Sequence, residues 1–236
     1  MWRSSKQPGS RRRSNDAHSA SVSASGSDSA SASVGACVGV IEELCGAVGI
    51  SVPPGWPAYF DTAKAWAART DLTGARNDAE LAEILFLDAS KLIEVAWLES
   101  ASSLVDVGAG VGAPTIPLLL DGLGRRATLV EPRRKRTAFL RSAVGLLDLA
   151  NRAQVLEQSV DPDSPVVKGG PFDVALSRAT FPPEQWRAIG SRLGSEVWVF
   201  TAGRELEETP KLSLHRQLDY EVPSTSAPRS ILAYGP

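Results

Sequence analysis

The stretch Ser103-Leu-Val-Asp106-Val-Gly108-Ala-Gly110-Val-Gly112 constrains this chain more than any other. A short apolar run ends in three alternately spaced glycines, and Thr115 to Leu123 then reads as a helix. Glycine tolerates the tight turn and lets backbone amides come close to a ligand. A strand, a glycine turn and a helix in that order form the opening unit of a parallel α/β sheet. The following sequence repeats the alternation. Strands are predicted at Ala127–Glu131, Ala153–Leu156, Phe172–Leu176 and Glu196–Thr201, with helices over Lys135–Leu147 and Pro183–Leu193. Gln217–Val222 and Ser230–Tyr234 read as a closing antiparallel pair. The predicted architecture is a Rossmann-like α/β domain over residues 101–236, mostly parallel, with helices on both faces.

Upstream, residues 36–100 are predicted as a helical region. Val38, Ile41, Leu44, Cys45 and Val48 recur at helical spacing until Pro53-Pro54-Gly55 interrupts them. Helices follow over Pro57–Arg69 and Asp78–Trp97, the latter capped by Asn77 or Asp78. Residues 1–35 contain 12 serines and few apolar side chains, so a disordered tail is expected. Its run Arg11-Arg12-Arg13 reads as a solvated charge cluster, with RNA contact as the alternative.

Charge and composition narrow the class. The chain is 43% apolar and 22% charged, which is ordinary for a water-soluble globular protein. No run approaches the ~18 apolar residues that span a bilayer, and no secretory h-region opens the chain. A cytoplasmic location without membrane association is expected. The net charge is −2, although the tail is basic, so the folded body is acidic and any nucleic-acid site must be a local patch. Cys37 and Cys45 match no zinc spacing and read as buried or incidental thiols, and no metal is expected. His18 lies in the tail, and His215 has no catalytic setting. The oligomeric state is not legible.

The acids around the glycine turn indicate the ligand. Glu131 ends the second strand, where a carboxylate can accept both ribose hydroxyls of a nucleoside. Asp106 precedes the turn. An acid there suits a cationic sulfonium and opposes an anionic pyrophosphate, which favours S-adenosyl-L-methionine over NAD. Gly108, Gly110 and Gly112 would line the cofactor. Arg178 follows the fourth strand on the same sheet edge and is placed to contact cofactor or substrate.

Several segments together resemble the bacterial small-subunit rRNA guanine-N7 methyltransferase G family, also called glucose-inhibited division protein B. Trp66-Ala-Ala-Arg-Thr-Asp-Leu-Thr73 is similar in spacing to its W-N-K-x-x-N-L-T element. Leu87-Asp88-Ala-Ser90 sits at its H-I-L-D-S helix, and Asp106 to Pro117 resembles D-V-G-T-G-x-G-x-P-G-I-P. Lys135 to Leu140 resembles K-R-x-x-F-L, Phe172 to Ala179 resembles F-D-x-x-x-S-R-A, and Arg229 resembles the R-H-L arginine. The resemblance covers roughly residues 56–236. It implies methylation of guanine N7 in 16S rRNA, with rRNA or the small ribosomal subunit as partner. It also implies cofactor contacts from Gly108, Ala113, Val160, Asp161 and Arg178. Guanine N7 carries a lone pair and no proton, so no general base is required; positioning by Arg178 and Arg229 would supply the catalysis.

The departures fall on the substrate side. Ile84-Leu85 replace the family's Arg-His, Ala202 its lysine, and Ser159 an arginine. Each removes a charge or polar group where phosphate contacts set affinity. Arg204 is a candidate replacement for the lost lysine, and Arg133-Arg134-Lys135-Arg136 is either a phosphate contact or a solvated helix face. Three other readings therefore stand beside the leading one: a methyltransferase for another RNA or a small molecule, a non-enzymatic cofactor-binding protein, and a nicotinamide-dependent oxidoreductase.

Overall fold

The computed structural model describes residues 27–97, 101–123, 126–203, 206–207 and 212–236, with side chains from Val38 onward. Arg11–Arg13, His18 and Arg204 lie outside the described residues, as does the side chain of Cys37. The helices are α1 (Ser27–Val48), α2 (Trp56–Ala67), α3 (Asp78–Ala82), α4 (Asp88–Glu94), α5 (Thr115–Leu120), α6 (Arg134–Leu146) and α7 (Pro183–Gly190). The strands are β1 (Ser103–Val107), β2 (Arg126–Val130), β3 (Ala153–Leu156), β4 (Phe172–Ser177), β5 (Gly194–Thr201), β6 (Ser213–Val222) and β7 (Ala227–Gly235). They form one sheet in the order β3-β2-β1-β4-β5-β7-β6. The first five are parallel, whereas β7 runs antiparallel to β5 and pairs with β6 as a hairpin. This is the predicted Rossmann-like architecture, closed by the predicted pair.

Two differences have physical causes. Helix α1 begins at Ser27, inside the segment read as tail, because its alternating Ala and Ser residues permit a helix even though they give no amphipathic signal. The helix predicted over Asp78–Trp97 contains a π-helical turn at Glu83–Leu87 between α3 and α4. Such a turn spans only five residues, too few for periodicity to reveal it. At its start Asn77 caps α3 by accepting from the Glu80 amide at 2.9 Å, as predicted.

The sheet separates two cores by the period-two alternation of strand side chains. On one face Leu104, Leu129, Leu176 and Trp198 pack against α1 to α6. On the other, Val105, Val107, Ala175 and Val199 meet Trp186 and Ile189 of α7. Val160 and Val167 from the long β3–β4 connection complete that second core. The aspartate of the F-D pair, Asp173, accepts from the Ser102 and Ser103 amides at 2.7 and 2.8 Å. It ties β4 to the start of β1, at the sheet edge opposite the glycine turn. These bonds hold its carboxyl below the usual range.

Candidate cofactor and substrate site

The parallel register carries the ends of β1, β2 and β4 to one edge. There the turn after β1 meets Glu131 after β2 and Arg178 after β4. Gly108, Gly110 and Gly112 all have φ between 57° and 83°, the left-handed region. The Gly108 and Ala109 amides donate to the Val130 carbonyl at 2.8 and 3.1 Å, which folds the turn back onto β2. At Gly108 an added Cβ would lie 1.9 Å from Thr180 Oγ1; at Gly112 it would lie 2.5 Å from Ile116 Cδ1. Around Gly110 the nearest atoms to such a Cβ stand 3.8 and 3.9 Å away, the second being Arg136 Nη1, so the open side of the turn is here.

Glu131 is buried and aimed at the turn. One carboxylate oxygen accepts from the Gly110 amide at 2.9 Å and the other from the Arg133 amide at 2.8 Å. Each oxygen keeps a lone pair, which is what a pair of ribose hydroxyls requires. Asp106, at the end of β1, is 1% exposed and accepts from Thr115 Oγ1 at 2.7 Å. Burial pushes its carboxyl up to about 7, against the opposing pull of Thr115 and the Arg178 charge. Thr115 stands where the family motif has glycine, so the hydroxyl is this chain's own addition to the acid's surroundings. A buried acid in this state is completed by a cation, which fits the sulfonium and amino groups of S-adenosylmethionine better than a pyrophosphate.

Other site residues fall less simply. Ala113 is buried at the end of the turn. Val160 is buried in the second core, and Asp161 is exposed beside it, its carboxylate accepting from the Asp163 amide at 3.0 Å. Arg178 Nη1 donates to Asp88 Oδ2 at 2.8 Å and to the Ile84 carbonyl at 2.9 Å, inside the π turn. Arg229 is exposed on β7 and shares with Arg178 a cleft of about 420 Å³, to which Arg76, Glu83, Ile84 and Val222 also contribute. Ile84, one of the departures, thus lines this cleft, whereas Leu85 is buried in the core. Ser159 and Ala202 are exposed, as is His215. Arg133, Arg134 and Lys135 are exposed at the start of α6, with no acidic side chain among the described residues within ion-pair distance. Cys45 is buried, which raises its thiol to about 11. No cluster that could hold a metal occurs among the described residues, nor does a helix long and apolar enough to cross a membrane.

Sequence reasoning missed the supports. Tyr59 on α2 donates its hydroxyl to the Val111 carbonyl of the glycine turn, and Trp56 Nε1 donates to the Pro117 carbonyl at 3.1 Å. Tyr59 falls on the apolar side of the helix predicted over Pro57–Arg69, and Trp56 lies just before that predicted helix. The available signal was that a buried Tyr or Trp needs a partner for its polar atom. Thr180, beside the S-R-A segment, covers Gly108 and carried no signal at all.

The strand order, glycine turn, buried Glu131 and buried Asp106 together define a Rossmann-like S-adenosylmethionine-dependent methyltransferase. The crystal structure of an O-methyltransferase from Bacillus cereus in complex with SAH shares the fold, with a TM-score of 0.54 at 15% identity, covering 76% of this chain and 91% of that one. The chain belongs to the rRNA small subunit methyltransferase G family, whose profile matches residues 56–224. The Ribosomal RNA small subunit methyltransferase G of Anaeromyxobacter dehalogenans (strain 2CP-1) is 30% identical over 184 residues, covering 73% of this chain and 83% of the relative. The protein of the same name from Helicobacter hepaticus is 29% identical over 159 residues, covering 66% of this chain and 83% of the relative.

Proposed function

We infer that this protein transfers a methyl group from S-adenosylmethionine to N7 of a guanine in 16S rRNA, acting on the small ribosomal subunit in the cytoplasm. The observation that carries the reading is the buried pair Asp106 and Glu131 flanking a glycine turn, in a chain of this family. The cofactor supplies an electrophilic methyl group on a sulfonium. Glu131 holds the ribose, and the glycine turn admits the nucleoside at Gly110. Asp106 provides the buried negative charge that a cationic ligand completes. Gly108, Gly112, Ala113, Arg178 and, from the turn after β3, Val160 and Asp161 shape the remainder of the cofactor site. Arg178 and Arg229 face the shared cleft and orient the acceptor nucleotide through its phosphate or base edge. Because N7 loses no proton on attack, orientation is the contribution asked of these residues.

One observation favours a second reading. Ile84 and Val222 give the cleft an apolar side at a position where the family motif is basic, which suits a less charged acceptor. A single assay separates the two. Purified protein with methyl-labelled cofactor is offered small subunits from a strain lacking this gene, total RNA and a metabolite extract. The leading reading requires label in 16S rRNA at one 7-methylguanosine. Label confined to the metabolite extract establishes the second reading, and subunits that gain no label refute the first.

A further inference from the structure

Arg178 is fixed from behind by a chain of bonds that the fold has no need of for its core. Asp88, 6% exposed, accepts from Arg178 Nη1 at 2.8 Å through one oxygen and from the Tyr220 hydroxyl at 2.5 Å through the other. The second hydrogen of Nη1 goes to the Ile84 carbonyl, which lies within the π turn. Among the described residues none accepts from Nε or Nη2, so that side of the guanidinium is left for a ligand. Asp106 lies on the cofactor side of Arg178, near enough for a carboxylate charge to act on the guanidinium, and Arg178 also lines the cleft. The three residues come from distant parts of the chain: Asp88 from the helical extension, Arg178 from the end of β4, and Tyr220 from β6, where it pairs across the hairpin with Arg229.

We propose that Asp88 and Tyr220 are positioning residues that act through Arg178, fixing its guanidinium between the Asp106 side and the cleft so that the helical extension and the β6–β7 hairpin set cofactor affinity. The inference rests on the cofactor reading above. Among the described residues the Tyr220 hydroxyl bonds to Asp88 and to no residue of the glycine turn or Glu131, so its route to the cofactor runs through Asp88 and Arg178. Removing its hydroxyl leaves one Asp88 oxygen without that donor and lets the carboxylate rotate away from Nη1, while the ring still packs in place.

The test is calorimetric titration of the full chain with S-adenosylmethionine, alongside thermal melting without ligand. Y220F is expected to raise Kd about threefold to tenfold while melting close to the wild type, and D88N to raise it further. In an R178M background the added Y220F is expected to change Kd less than twofold, because the path it acts through is gone. R178K serves as the background should R178M not fold. Wild-type affinity in Y220F overturns the inference, as does an equal loss in both backgrounds. A folded wild-type protein that binds no cofactor overturns the cofactor reading itself, and this inference with it.

Discussion

Asp106 is an acid enclosed on every side, and its environment makes cofactor binding depend on pH. With its carboxyl at about 7, it is largely neutral in the unliganded protein below neutrality. An unfolded chain would lose that proton near the ordinary value of 3.8. The native state therefore binds more protons between these values, and the stability this group contributes falls as pH rises from about 4 to 7. A cationic ligand favours the ionised form. Cofactor affinity is expected to rise with pH up to about 7 and then level off, being roughly tenfold weaker at pH 6 than at pH 8. D106N should flatten that profile and weaken binding throughout; a titration series across this range decides it. Gly108 gives a second residue-level test. With φ at 77° and Thr180 filling the Cβ position, G108A should lower stability by about 1–3 kcal/mol and abolish measurable cofactor binding. The double variant G108A/T180G should recover the part owed to the clash and retain the part owed to φ, as chemical denaturation would show.

The elements were unevenly legible in the sequence. The inner strands β1, β2, β4 and β5 were visible as short apolar runs, because a strand buried on both faces needs little else, whereas the exposed, polar β6 was legible only over Gln217–Val222. The glycine turn and Glu131 were visible because their chemistry depends on residue type at fixed positions. The π turn was not, because five residues of altered hydrogen-bond register are too short a stretch for side-chain periodicity to report. Nor was the role of α2. Its predicted apolar side of Tyr59, Phe60, Ala63 and Trp66 reads as packing alone; the buried residues are Trp56, Tyr59, Phe60 and Ala63, and Trp56 stacks on Phe86 with ring centroids 4.4 Å apart. The same side also supports the cofactor turn through the Tyr59 hydroxyl. Burial pushes that hydroxyl well above the ordinary phenol range, so it remains a donor at every accessible pH. Y59F should therefore leave the Val111 carbonyl unpaired and lower stability by about 1–3 kcal/mol, a drop of about 2–10 °C in melting temperature. Cofactor Kd should rise in parallel, since the turn loses its support. Unchanged melting together with unchanged Kd would remove α2 from the site.

At the scale of the whole molecule, an acidic chain must approach an anionic partner. Net charge −2 gives no long-range attraction to RNA, so encounter depends on where the cations stand. Exposed Arg133, Arg134 and Lys135 open α6 directly after Glu131, next to the cofactor edge, and Arg229 stands across that edge on the hairpin. The first turn of a helix disfavours cations through the peptide dipoles, so this placement is held against a small electrostatic penalty. Contact with backbone phosphates would offset it. If the run meets phosphates while Glu131 holds the cofactor behind it, the two functions should separate under mutation. R134E/K135E is expected to raise the KM for small subunits about tenfold or more and to leave cofactor Kd within about twofold. Two lost phosphate contacts should also make the dependence of log K on log salt shallower by about 1.5. A solvated helix face would give neither change. The Ile84 and Ala202 departures mean that fewer cations remain elsewhere to mask the loss, so filter binding at several salt concentrations reads the contribution of this run directly.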